Sequence, residues 1–167
     1  MDCKDWFDTL LKNNTESKKI MGFILLWMAF DDKVSQWIET QSDTIKNMNK
    51  LFQIKSFFTS NLQNVYNEKK EYFLKTFSEI PGGERYSGNR IGLLSVMDVV
   101  SYRNNYKDSN SDAYVTVLYK LRNSFFHGSK ENNDNNRELI CWAFDTLSEL
   151  LHIKYPDEFL YFDKSLI

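Results

Sequence analysis

The sequence predicts an all-α fold, a helical bundle of roughly five to seven helices with antiparallel core helices, and three observations lead there. Apolar residues recur at three- and four-residue steps along most of the chain, the period of an amphipathic helix. No stretch alternates apolar and polar residues as a strand does. The residues that interrupt helices are scarce and gathered: the two prolines, Pro81 and Pro156, each follow a periodic segment, and four of the six glycines lie between Gly82 and Gly92. At 167 residues the chain reads as one domain, residues 1–167, long enough to bury a core without metal or disulfide staples.

Taken in order, Trp6, Phe7, Leu10 and Leu11 suggest a short first helix, broken by Asn13-Asn14-Thr15. Ile20, Phe23, Ile24, Trp27, Phe30, Val34, Trp37 and Ile38 then form a helical stripe that is apolar all round through its middle, as expected of a buried central helix. From Ser42 to Pro81 the periodic residues run without proline or glycine, which predicts one long helix or two joined near Ser56. Pro81 to Gly92 is a loop. Gly83 and Gly88 have the spacing of a phosphate-binding loop, but Asn89-Arg90 stands where Lys-Ser/Thr is required and no buried strand precedes, so that reading is rejected. Leu93 to Val100 predicts a further helix and Tyr102 to Asp112 another loop, with N-cap candidates from Asp108 to Asp112. Asn135-Asn136-Arg137-Glu138 resembles a capping box ahead of a helix carrying Leu139, Ile140, Ala143, Phe144, Leu147 and Leu151. The aromatic tail Phe159 to Phe162 either docks on the bundle or contributes to a dimer contact.

Hydrophobic residues make up 42% and aromatics 16%, which argues against disorder, and the formal charge of −2 offers no bulk attraction to nucleic acid. An RNA site would have to be a local basic patch. Cys3 and Cys141 form neither a disulfide framework nor a metal set, which fits a reducing compartment. Met1-Asp2-Cys3-Lys4-Asp5 is acidic where a signal peptide would be basic, and the apolar run Ile20 to Phe30 is too short to cross a bilayer. A cytoplasmic protein without membrane contact is the expectation.

Chemistry concentrates in one stretch, Leu118 to Lys130. Tyr114, Val117, Leu118, Leu121 and Phe125 place an apolar stripe on a helix that Gly128 ends, because glycine readily takes the left-handed conformation at a helix C-terminus. His127 would sit at that terminus, where the helix dipole favours a protonated imidazole. Asn123 lies one turn earlier on the same face, Arg122 borders it about 100° away, and Lys120 and Lys130 are close by. Elsewhere, Arg85, Tyr86 and Arg90 in the glycine-rich loop form a candidate phosphate-and-base patch. His152 reads as a helix-terminal surface histidine. Ser124 lacks a nucleophile elbow, and neither a zinc set nor a two-metal carboxylate cluster is present in the sequence pattern.

Arg122-Asn123-Ser124-Phe125-Phe126-His127 resembles the R-N-x-x-x-H signature of HEPN domains (higher eukaryotes and prokaryotes nucleotide-binding), and an early aromatic-rich helix with Trp27 and Phe30 near its middle is similar too. The resemblance implies a metal-independent ribonuclease site with catalytic Arg122, His127 and Asn123, RNA-binding Lys120, Lys130, Arg85 and Arg90, and no cofactor. It also implies a homodimer in which two motifs face one cleft, so that each copy supplies an arginine and a histidine. The setting it suggests is a toxin, an abortive-infection factor or another defence protein with an antitoxin or defence-system partner. Members paired with nucleotidyltransferase antitoxins often carry a tyrosine two residues after the histidine; Ser129 stands there, which points away from that particular partner. The other reading is a non-catalytic HEPN-like module that binds nucleotide or protein.

Overall fold

A computed structural model of the chain describes residues 15–80, 96–105, 111–126 and 134–159. Among them are seven helices and no strand: α1 (Thr15–Glu39), α2 (Asp43–Lys46), α3 (Lys50–Asn61), α4 (Gln63–Glu79), α5 (Val96–Asn105), α6 (Asp112–Phe126) and α7 (Asp134–Lys154). The all-α bundle is therefore as the periodicity predicts. No helix among the described residues is long and apolar enough to cross a membrane.

Two long helices, α1 and α7, pack against each other along most of their length, with α4 also against α7 and α3 against both α1 and α6. Phe23, Leu26, Trp27, Phe30 and Val34 make the inner face of α1. Gly22 lets α7 come close: a Cβ there would stand 2.7 Å from the Phe144 ring, nearer than carbon atoms tolerate. Ion pairs border the contact, Lys19 with Asp145 at 2.9 Å and Arg137 with Glu16 at 2.6 Å.

Tyr114 on α6 is the hub of the core. Its ring centroid lies 5.1 Å from Tyr66, 5.8 Å from Phe58, Phe73 and Trp142, and 6.1 Å from Tyr102. Its hydroxyl donates to Thr146 Oγ1 at 2.8 Å, and the Trp142 indole N–H donates to the Phe73 carbonyl at 3.1 Å. Burying polar tips is tolerable only with such partners. Desolvation pushes the hydroxyls of Tyr66, Tyr102 and Tyr114 well above the usual tyrosine range.

The structure corrects several boundaries. The segment from Ser42 to Pro81 holds three helices, and none of them breaks at Ser56. Asn49 starts α3 by accepting the Phe52 amide at 3.0 Å on its side chain. The break between α3 and α4 falls at Leu62, whose φ of −120° and ψ of −6° leave the helical region while its side chain is fully buried. The expected loop from Tyr102 is instead the second half of α5: Tyr102, one turn after Val99, packs 4.9 Å from Phe77, and this burial outweighs the polar Arg103-Asn104-Asn105. Helix α7 starts at Asp134, so Asn135 lies within its first turn rather than capping it. Nor is α1 buried all round, because Met21, Leu25 and Met28 are exposed. In the tail Phe159 docks on the bundle, 6.1 Å from Tyr155. The expected helix at Trp6 to Leu11, the Pro81 to Gly92 loop and Leu160 to Phe162 lie outside the described residues.

Candidate nucleic-acid interface at the end of α6

The motif helix forms as expected. Ser111 precedes it, with its carbonyl accepting the Val115 amide at 2.9 Å and its buried hydroxyl donating to Gln63 at 2.7 Å, which ties the start of α6 to α4. Tyr114, Val117, Leu118 and Leu121 are all buried, so the inward stripe fixes the rotation of the helix about its axis and thereby the direction of its polar side. α6 ends at Phe126.

On that polar side two of the three motif residues are together. Arg122 and Asn123 are both half-buried, and the Arg122 guanidinium donates to the Asn123 amide oxygen at 2.8 Å. The bond occupies the oxygen of Asn123 and leaves its amide nitrogen as the group that could donate to a histidine or a phosphate. It also restrains Arg122, whose planar fork suits bidentate phosphate binding. His127 and Lys130 lie outside the described residues, as do Arg85 and Arg90.

Lys120 has a partner that the motif does not disclose. Its ammonium is 2.6 Å from Asp98 Oδ1 in the first turn of α5; the lysine side chain is 48% exposed and the aspartate 9%. Asp98 is the one charged residue in the apolar run Leu93 to Val100. A carboxylate buried in such a run requires a cation or donors, so that signal was present in the sequence, although it does not name the partner. The pairing offsets the charge that Lys120 would contribute to a basic patch. Beside it a cavity of about 170 Å³ opens between α3, α5 and α6, with Lys55, Asp98, Ser101 and Thr116 in its wall.

A second cavity, about 240 Å³, lies between α4 and α7 and is walled by Tyr72, Thr76, Glu138, Cys141, Trp142 and Asp145 among others. Burial, aided by the nearby Glu16 carboxylate, pushes the Cys141 thiol up to about 12, which disfavours the thiolate, the form that attacks. No group of three or more His, Cys, Asp or Glu side chains among the described residues is arranged to hold a metal ion. His152 is half-buried in the last turn of α7.

No family model, no curated protein and no solved structure matches the chain.

Proposed function

We propose that the chain is a metal-independent endoribonuclease whose site is Arg122, Asn123 and His127 from each of two copies, with Lys120, Lys130, Arg85 and Arg90 as RNA contacts, acting in a toxin–antitoxin or phage-defence setting. The observation that carries the reading is the pairing of Arg122 with Asn123 at the end of a helix whose opposite side is locked in the core. Such anchoring holds a cationic fork in one direction, as stabilising charge on a phosphorane requires. In the reaction the ribose 2′-hydroxyl attacks its own phosphorus while one histidine takes the hydroxyl proton. The bond from phosphorus to the 5′-oxygen breaks, and the histidine of the second copy protonates the leaving oxygen. The products are a 2′,3′-cyclic phosphate and a 5′-hydroxyl.

The Lys120–Asp98 ion pair favours the second reading, a HEPN-like module that binds nucleotide or protein without cleavage, because it lowers the positive charge beside the motif. Labelled single-stranded RNA in EDTA separates the two. Cleavage by wild type, with cyclic phosphate ends, and its loss in His127→Ala and Arg122→Ala supports the nuclease. Binding without cleavage by the folded wild-type protein supports the module.

A further inference from the structure

The outer side of α1 is apolar in a helix whose other sides are already covered by α7, α3 and α2. Met21 is 42% exposed, Leu25 54% and Met28 61%, and these are three of the seven large hydrophobic residues exposed among the described residues. They stand at steps of four and three residues, one above another. Exposed Lys18 precedes them by one turn and exposed Asp32 follows by one turn, so the face reads Lys18, Met21, Leu25, Met28, Asp32. At roughly 100° per residue all five fall within about an 80° arc.

That face is self-complementary. Lys18 and Asp32 are equally far from Leu25 along the chain, seven residues on each side. A two-fold axis through Leu25, perpendicular to α1, therefore sets Lys18 of one copy against Asp32 of the other twice over. It also brings Met21 beside Met28 of the second copy, and Leu25 against itself. An isologous contact requires this symmetry, the same patch serving both sides. A shift of about one turn sets Lys18 against Met28 or Asp32 against Met21 of the second copy.

We infer that the outer face of α1 is a docking surface for a second copy of this chain, antiparallel and centred on Leu25. The stripe from Lys18 to Asp32 is about 21 Å long at roughly 1.5 Å per residue. That is short for a standard interface of about 800 Å² a side, so the association is concentration-dependent. The surface belongs to α1 and not to the end of α6, and the inference does not depend on any nuclease activity. If the α6 motifs also pair, two different two-fold contacts on one chain build assemblies larger than a dimer.

The test is the solution mass of the full chain over a concentration series, by light scattering after size exclusion, for wild type, Leu25→Glu, Lys18→Glu, Asp32→Lys and the double variant Lys18→Glu/Asp32→Lys. The expected result is a wild-type mass at least twice that of one chain at high concentration, about half of that for Leu25→Glu and for each single charge reversal, and recovery of the wild-type mass in the double variant. All three substituted positions, Lys18, Leu25 and Asp32, are exposed, so helix content by circular dichroism should be unchanged. A monomeric wild type at every concentration overturns the inference. So does a wild-type assembly that Leu25→Glu leaves intact, or a double variant no better associated than the single ones. RNA cleavage is measured separately on the same samples, so loss of association and loss of activity are read independently.

Discussion

On the inward face of α6, Tyr114 is fully enclosed by rings from α3, α4, α5 and α7; on the other side of the same helix Lys120 is 48% exposed and Arg122 and Asn123 are half-buried. One helix thus carries positions enclosed by packing and positions that reach solvent. The first set determines where the second points. A substitution on the inward face should therefore abolish function by unfolding the protein, and one on the polar side should alter function while the fold stays.

The strongest way to break that contrast is Tyr114→Ala, which empties the centre of the aromatic cluster and should cost about 3–5 kcal/mol in denaturant unfolding. Thr146→Val keeps the ring and strands its hydroxyl, which otherwise donates to Thr146 Oγ1 at 2.8 Å; a loss of about 1–3 kcal/mol is expected. On the polar side, Asp98→Asn weakens a charge-assisted bond to a buried residue and should cost about 1–3 kcal/mol, yet it should tighten RNA binding and steepen its salt dependence by releasing a cation. Asn123→Ala is expected to move stability by about 0.5 kcal/mol or less while reducing RNA cleavage or binding. Equal destabilisation by Tyr114→Ala and Asn123→Ala would erase the distinction.

A smaller effect sharpens the picture elsewhere. The Cys141 thiol rises from 9.0 to about 12 because the folded state desolvates it and sets carboxylates around it. A group whose folded value is raised contributes stability that is complete below its unfolded value and is lost as pH climbs through the folded one. Cys141→Ala should therefore flatten the fall in stability between pH 9 and about 12, set by the shift of this group, and leave the profile below pH 9 unchanged. Thiol alkylation of the native protein should be correspondingly slow near neutral pH.

The helices were legible wherever burial follows the period, as in Phe23, Trp27, Phe30 and Val34 of α1 or Tyr114, Val117, Leu118 and Leu121 of α6. They were not legible where tertiary packing overrode local signals. Leu62 ends α3 with neither proline nor glycine to mark it, and Tyr102 keeps α5 helical through polar neighbours because the rings of Phe77, Tyr114 and Trp142 are there to receive it. The exposed side of α1 was hidden for a related reason: a helix apolar all round looks buried, and nothing in one chain reveals which side lacks a neighbour. That Arg122 and Asn123 stand together on the polar side of α6 was legible from their positions in the helical pattern, whereas the Lys120–Asp98 pair joins residues on two helices separated by an intervening connection and could not be read from either.

The close packing of α1 against α7 also bears on how the chain is made. The start of α7 at Asp134 comes 95 positions after the end of α1 at Glu39. A ribosome adding about 5–20 residues per second leaves α1 without its main neighbour for roughly 5–19 seconds. Throughout that interval the side of α1 that packs on α7, where Gly22 meets Phe144, lacks the helix that covers it. The nascent chain thus carries an apolar surface of the kind that chaperones hold, and translation of α7 is the step that retires it.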